Sequence, residues 1–236
     1  MWKAPTSRIG AFFDVDKTLL SENSGTLYLR WLYDRGEVEW PTLLRNLGSY
    51  LQYKLNLLDI ERWTRRTMLQ FEGRGEAELE REAAEWFDEY VLPSLYPDAV
   101  EQMGRHQEAG HVVALVSGAT KFVVQPLAEH LGVEHMMHTH LEVKDGTYTG
   151  RVVDPICFGE GKVYWLQQFI EQERIELARS YFYTDSITDQ PLLDLVGHPI
   201  VVNPDPLLYR EAVRRRWPVR FYDAPTPEPL EQGASG

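Results

Sequence analysis

Two aspartates stand one residue apart, directly after an apolar run. The stretch AFFDVDKTLL places Asp14 and Asp16 behind the residues AFF. Because side chains alternate along an extended backbone, both carboxylates lie on one side and repel each other unless a cation lies nearby. One such carboxylate can attack phosphorus, and its neighbour can carry a proton. Carboxylate oxygens are also ligands that Mg²⁺ prefers. The alternative is a pair of solvated acids at a strand end.

Further polar residues that suit phosphate chemistry follow other apolar runs. Ser117 and Gly118 end VVALVSG, where a hydroxyl and a bare backbone N–H can meet a phosphate group at a helix start. Lys162 in GEGK opens a helix and could neutralise a transferring phosphoryl group, unless it is an ordinary exposed lysine. Asp185 suits a metal ligand, and Asp189 suits a partner that orients Lys162 or a metal-bound water. Each of these two acids could instead be a helix cap.

Short apolar runs predict the strands that must position these residues. The four runs are IGAFFD, HVVALVS, SYFYTD and HPIVVN, and helical stretches such as KFVVQPLAEHL and KVYWLQQFIEQER lie between the later ones. This alternation predicts a doubly wound α/β core with a parallel sheet. Ligands of such sheets bind beyond the carboxyl ends of the strands, where Asp14, Ser117 and Asp185 are all expected.

A long interval after the first strand does not follow this alternation. Residues 21–96 have helical spacing of apolar residues throughout, which predicts an α-helical cap inserted into the core. The predicted core is therefore residues 1–20 and 97–223. The tail, residues 224–236, is rich in Pro, Gly and Glu and is predicted to be disordered.

Two local patterns in these segments carry structural predictions. The tryptophans of the insert are expected to pack in its core, with a stacking platform as the alternative: Trp31, Trp40, Trp63 and Trp86. Residues 138–153 contain DG between alternating segments, which predicts a β-hairpin.

Composition limits the kinds of partner. The chain has 236 residues, of which 43% are hydrophobic and 25% charged, and its formal net charge is −12. This charge disfavours nucleic acid and anionic membranes, because phosphate-rich partners need a basic surface. No apolar run approaches the roughly 20 residues that cross a bilayer. The single cysteine, Cys157, excludes an internal disulfide, has no evident activating partner and suits a cytoplasmic protein.

Other motifs give weaker indications of function. His135, His138 and His140 could suggest a metal site, but only the last two share a strand face, so a structural role is expected. Ser117 has no surrounding G-x-S-x-G motif, which disfavours serine hydrolase chemistry. The basic cluster REAVRRRW is expected to be the solvated face of a late helix.

The ordered set of motifs closely resembles the haloacid dehalogenase-like (HAD) phosphatases. The motifs in this chain are DVDKTLL, LVSGAT, GEGK and YTDSITDQPLL, and the resemblance covers nearly the whole sequence. The insert after the first motif, together with the VKDGTYTG hairpin, is similar to the phosphoserine-phosphatase-like branch. The resemblance implies that Asp14 is the nucleophile and Asp16 the general acid/base. It also implies that Mg²⁺ is held by the Asp14 side chain, the Asp16 carbonyl and the Asp185 side chain.

The same resemblance implies the remaining roles and the reaction. Ser117, Gly118 and Lys162 would bind phosphate, and Asp189 would support them. The implied activity is Mg²⁺-dependent hydrolysis of a small phosphorylated metabolite through an aspartyl-phosphate. A phosphotransferase with the same intermediate and a non-catalytic module that binds a phosphorylated ligand are the alternatives.

Departures from the family pattern concern the substrate. Where phosphoserine phosphatases carry a glutamate that meets the substrate ammonium, this chain has Asn23, with Glu22 beside it. We therefore expect no strong preference for phosphoserine. The basic stretch ERWTRRTM is expected to offer one inward guanidinium for a second anionic group, from among Arg62, Arg65 and Arg66. The last motif has Thr184, Ser186 and Thr188 where the family has G-D-G-x-N-D.

Overall fold

The computed structural model describes residues 7–39 and 59–225. The predicted helical stretch 40–55, with Trp40, lies outside the described residues, as does the tail beyond residue 225. The statements below concern the described part of the chain.

A six-stranded parallel sheet forms the centre of the molecule. Its strand order is β3-β2-β1-β6-β7-β8, and β4 and β5 form a separate hairpin. The bounds are β1 Gly10–Phe13, β2 Val112–Thr120, β3 His135–Thr139, β4 Leu141–Lys144, β5 Thr147–Val152, β6 Tyr181–Thr184, β7 His198–Val202 and β8 Val219–Arg220. All four predicted strands are present, and the doubly wound α/β prediction is confirmed. The polar β3 and the two-residue β8 were not predicted.

Eight α-helices lie in the described residues. They are α1 Ser24–Asp34, α2 Ile60–Met68, α3 Glu76–Trp86, α4 Pro97–Glu108, α5 Lys121–Leu131, α6 Glu160–Glu173, α7 Gln190–Leu193 and α8 Pro206–Arg215. In residues 7–39 and 59–225, none of these helices combines the length and the apolar character that crossing a membrane requires.

The strand order reverses beside β1, which therefore ends at the crevice of the sheet. From β1 the chain proceeds to β2 and β3 on one side, and later to β6, β7 and β8 on the other. In an open parallel sheet this reversal is where ligands bind. Neighbouring residues of β1 serve the two faces, since Phe13 lies in one core cluster and Phe12 in the other. Both faces of β1 are thus fixed by packing just before Asp14.

The described part of the segment between β1 and β2 consists mainly of helices, and it packs onto one face of the core. Leu27, Trp31 and Trp86 lie in the same buried cluster as Phe13 and Leu115. Because apolar burial is the main stabilising term, this shared cluster fixes the first helix of the insert against the sheet. Two of the insert's tryptophans therefore pack in the core, as predicted, and Trp63 is half-buried.

The predicted β-hairpin is confirmed, and it joins the insert. Its turn residues Asp145 and Gly146 have φ of 51° and 73°, the left-handed geometry that favours Asp-Gly in a two-residue turn. The backbone of Gly73 donates to Tyr148 and that of Tyr148 donates to Arg74, both at 2.9 Å. The hairpin and the α2–α3 connection thus form one backbone-bonded unit.

Candidate active site

Asp14 is the first residue after β1, and its main chain is held by the next strand. Its backbone N–H donates to the carbonyl of Tyr183 at 2.9 Å, and its side chain is buried. Oδ1 accepts a hydrogen bond of 2.7 Å from Nζ of Lys162. A buried carboxylate at the switch point is therefore paired with a cation from a distant part of the chain.

Lys162 reaches this position because its helix begins very close to the preceding loop. A Cβ on Gly161 would lie 1.8 Å from the carbonyl oxygen of Ile156, so only glycine fits there. Lys162 itself is buried, and its Nζ donates to Asp14 and to Asp189, both at 2.7 Å. The alternative of an exposed helical lysine is wrong.

Asp189 links this lysine to the strand end of β6. Its Oδ2 accepts from Lys162 and also from the hydroxyl of Thr184, each at 2.7 Å. Both Thr184 and Asp189 are buried. The threonine that departs from the family motif thus helps to orient the acid that holds Lys162. The only sign of this bond in the sequence is a threonine five residues before an aspartate.

Asp16 lies two residues beyond Asp14 and is held from the other side, by the start of α1. Its Oδ1 accepts from the backbone N–H of Ser24 at 2.8 Å, and its Oδ2 accepts from Nδ2 of Asn23 at 3.0 Å. Burial raises the pKa of Asp16, while the hydrogen bonds from Ser24 act in the opposite direction. Both contacts with α1 were missed by the sequence reasoning.

Burial and mutual repulsion shift the acids of this site strongly. Burial raises the pKa of Asp14 to about 7, although the charge of Lys162 opposes this shift. Burial also raises the pKa of Asp185, and the charges of Asp14 and Asp189 add to that effect. For Lys162, burial would lower the pKa, but the two carboxylates raise it. The site holds more negative charge than one lysine neutralises.

A divalent cation fits this donor set. Asp14 and Asp185 are buried carboxylates, and the charge of Asp14 raises the pKa of Asp185, so a hard cation between them would relieve that repulsion. Among the described residues, no group of three His, Cys, Asp or Glu side chains is placed to hold a metal. A cation here would therefore need backbone oxygen as well, in agreement with the role that the resemblance implies for the carbonyl of Asp16.

Ser117 and Gly118 lie within β2 rather than beyond its end. The strand continues to Thr120, with a register shift against β3, and α5 begins only at Lys121. The strand therefore extends three residues beyond its predicted end at Ser117, whereas the helix begins at Lys121, where the predicted stretch KFVVQPLAEHL begins. The buried Ser117 hydroxyl accepts from the backbone N–H of Ala119 at 3.1 Å. A Cβ on Gly118 would find only ordinary contacts, with the nearest atom 3.5 Å away, so packing alone does not require glycine.

The candidate substrate residues of the insert are mostly engaged or exposed. Glu22 forms an ion pair of 2.9 Å with Arg30. Arg62 has a side chain that is 88% exposed, and Arg66 is exposed as well. The structure therefore gives no support to the expectation of an inward guanidinium from these two residues.

The third arginine of this stretch, Arg65, does not face the site as a free cation. It is an exposed residue that forms an ion pair with Asp154 of the core.

The single cysteine is not reactive. Cys157 is buried, and this burial raises the pKa of its thiol to about 12. A thiol with such a pKa is not a nucleophile at neutral pH, as expected from the sequence.

The histidines near the hairpin pack as aromatic side chains. His138 is buried, and burial lowers its pKa to about 4. Its ring lies 4.1 Å from that of His140, which in turn lies 4.9 Å from the ring of Trp165. These ring contacts support the structural interpretation of His138 and His140.

Comparison with known proteins assigns the family. The family model of the haloacid dehalogenase-like hydrolases matches residues 11–194, which include every residue of the site described above. The chain belongs to this family. The family resemblance and the prediction of an enzyme are thus confirmed.

Individual relatives of this HAD-like hydrolase have phosphatase names. A probable phosphatase of Mycobacterium tuberculosis is 34% identical over 225 residues, which is 94% of this chain and 78% of that protein. A histidinol-phosphatase of Neisseria meningitidis is 32% identical over 214 residues, covering 89% and 96% of the two chains. A phosphoserine phosphatase structure with a phospho-aspartyl intermediate analogue has a TM-score of 0.68 at 19% identity, covering 93% and 95%, and it confirms the fold.

Proposed function

We propose that the protein is a Mg²⁺-dependent phosphomonoester hydrolase that works through an aspartyl-phosphate on Asp14. The observation that carries this proposal is the buried bridge in which Lys162 contacts both Asp14 and Asp189 at 2.7 Å. An ammonium at this place orients the carboxylate and offers positive charge to a phosphoryl group. A module that only binds phosphate would have no use for a second acid, Asp16, held beside the first.

The residues of the site can perform the reaction in two steps. In the first, a carboxylate oxygen of Asp14 attacks phosphorus, and the departing ester oxygen takes a proton from Asp16. In the second, Asp16 takes a proton from water as the water oxygen attacks the aspartyl-phosphate, which releases inorganic phosphate and restores Asp14. Mg²⁺ held by Asp14, Asp185 and the carbonyl of Asp16 would neutralise charge on the phosphoryl group.

Ser117, Gly118 and Lys162 are the proposed phosphate-binding residues, with Asp189 in support. The support for Gly118 is that the nearest atom to a Cβ there would be 3.5 Å away, so its bare backbone is open to the close approach of a phosphate group. Residues 1–20 and 97–223 would form the catalytic core, and residues 21–96 the cap that closes over it and excludes water.

The proposed substrate is a small phosphorylated metabolite. The support is twofold: relatives named for histidinol phosphate and for phosphoserine are similarly distant, at 32% identity each, and a net charge of −12 disfavours polyanions. L-histidinol phosphate and L-phosphoserine therefore head the substrate panel. The single buried cysteine supports a cytoplasmic location.

Turnover of an aryl phosphate with and without Mg²⁺ tests the proposal. We expect hydrolysis in Mg²⁺, no hydrolysis after chelation, and inhibition by Ca²⁺, whose larger coordination shell misplaces the nucleophile. Full activity in chelator would refute the metal requirement. A phosphoryl product on an added alcohol, in preference to free phosphate, would show a phosphotransferase instead.

A further inference from the structure

The N-terminus of α1 occupies both carboxylate oxygens of Asp16. The backbone N–H of Ser24 donates to Oδ1 at 2.8 Å, and Nδ2 of Asn23 donates to Oδ2 at 3.0 Å. Asn23 is also the N-cap of this helix, because its Oδ1 accepts from the backbone N–H of Thr26 at 3.3 Å. One side chain thus caps the first helix of the insert and binds the acid beside the nucleophile.

These two bonds fix which way the Asn23 amide points. If the amide were flipped, its carbonyl oxygen would face the Asp16 carboxylate and its NH₂ group would face the N–H of Thr26. Both contacts would then be repulsive, so the capping bond itself directs Nδ2 towards Asp16. Ser24 is buried, and Leu27 lies in the core cluster that also holds Phe13, so the start of α1 packs against the sheet through buried contacts.

We propose that Asn23 is a positioning residue that holds the carboxylate of Asp16 in the orientation needed for proton transfer. This role rests on the proposed function. Through this contact, the orientation of the Asp16 carboxylate depends on the position of α1 against the sheet. The insert therefore contributes to proton transfer as well as to substrate choice. The contact also leaves Asn23 committed to Asp16, rather than open to an ammonium group of a substrate.

The two tasks of Asn23 can be separated by substitution. Serine and aspartate cap helices about as well as asparagine, since each offers an oxygen to the backbone N–H groups. Aspartate has no side-chain donor at neutral pH, and the serine hydroxyl lies one bond nearer the backbone than the amide nitrogen, which is already 3.0 Å from Asp16. Asn23→Ser should therefore keep the cap and remove the contact with Asp16. Asn23→Asp keeps the shape as well and places a second negative charge against the carboxylate.

The test compares wild type and Asn23→Ser on an alkyl phosphate and on an aryl phosphate in Mg²⁺. We expect kcat/KM to fall about tenfold for the alkyl ester and no more than about threefold for the aryl ester, because only the poor leaving group depends strongly on protonation. The inhibition constant of inorganic phosphate and the melting temperature should remain those of wild type. Asn23→Asp should show at least the same loss on the alkyl ester.

A double-mutant cycle shows whether Asn23 acts through Asp16. In the Asp16→Asn background, Asn23→Ser should cause no further loss in kcat/KM. Equal losses on both esters, a weaker inhibition by phosphate, or a further loss in that background would overturn the positioning role. A wild type without turnover in Mg²⁺ would instead refute the proposed function, and the role of Asn23 with it.

Discussion

Replacing Lys162 by methionine should destabilise the protein strongly, because the change removes the only cation that contacts Asp14 and Asp189 in the described structure. Methionine fills a similar volume, so the substitution removes charge with little change in packing. The Lys162 side chain is 4% exposed, and those of Asp14 and Asp189 are 9% and 2% exposed. Two buried carboxylates would then remain without an ammonium.

The magnitude follows from these contacts and their burial. At an effective dielectric constant of about 20, an ion pair at 2.7 Å contributes about 6 kcal/mol before desolvation is subtracted. Removing an ammonium group from water costs several kcal/mol, and breaking a buried pair by deleting one partner costs about 3–5 kcal/mol net. We expect Lys162→Met to lower the free energy of unfolding by that amount in metal-free buffer at pH 8.

The loss should depend on pH in a defined direction. The pKa of Asp14 is raised from 3.8 to about 7 even beside Lys162, so protonation stabilises the folded state. That stability is complete below about pH 4 and is lost as the pH rises through the folded-state pKa. Without Lys162 the pKa of Asp14 is higher still. The variant should therefore lose less stability at pH 5 than at pH 8.

Urea denaturation of two further variants completes the assay. Asp189→Asn in the wild-type background should cost about 1.5–3 kcal/mol, as expected for a charge-assisted hydrogen bond, whereas in the Lys162→Met background it should restore about 2 kcal/mol. Lys121→Met is the matched control, because Lys121 also contacts two carboxylates, at 3.1 and 2.7 Å, but is 32% exposed. It should cost less than about 1 kcal/mol. If Lys162→Met and Lys121→Met lowered the free energy of unfolding equally, or if Asp189→Asn added its own loss to that of Lys162→Met, the buried bridge would not be the source of the stability.

Three other predictions concern the same site. Thr184→Val should lower the free energy of unfolding by about 1.5–3 kcal/mol, because it removes a buried hydrogen bond to the charged Asp189, and urea denaturation measures this. Gly118→Ala should keep the melting temperature, because the nearest protein atom to the added Cβ would be 3.5 Å away. It should raise KM, because the Cβ would obstruct the proposed contact of phosphate with the backbone, and an unchanged KM would contradict that role. Mg²⁺ should raise the melting temperature more at pH 8 than at pH 6, because binding requires ionised Asp14 and Asp185; an equal rise at both pH values would contradict this.

The sequence predicted the parts of the site that short motifs define. Asp14 and Asp185 follow apolar runs, and parallel strands bring such strand ends to one edge, so their meeting was predictable. The sequence predicted that Lys162 would carry positive charge to the site, but not that it would be buried between Asp14 and Asp189. Its burial depends on a partner 148 residues away in sequence and on the close approach of Gly161 to Ile156, which no local pattern shows.

Other features were missed for identifiable physical reasons. β3 was not among the predicted strands because its sequence HMMHT is not a continuous apolar run, yet its His138 is buried with a lowered pKa. β2 extends to Thr120 because this residue pairs with Thr139 of β3. In α2 the three arginines lie within little more than one turn of helix, so spacing alone could not show that the side chain of Arg65 contacts Asp154.

The central claim is that Asp14 becomes phosphorylated during turnover. Rapid acid quenching of the enzyme with substrate and Mg²⁺, followed by mass spectrometry of the peptide that contains AFFDVDK, tests this claim directly. We expect one phosphoryl group on Asp14, which is lost again as water hydrolyses the aspartyl-phosphate, and no phosphorylated peptide from Asp14→Asn, which should be folded and inactive. Phosphorylation at another residue, or turnover by the Asp14→Asn variant, would contradict it.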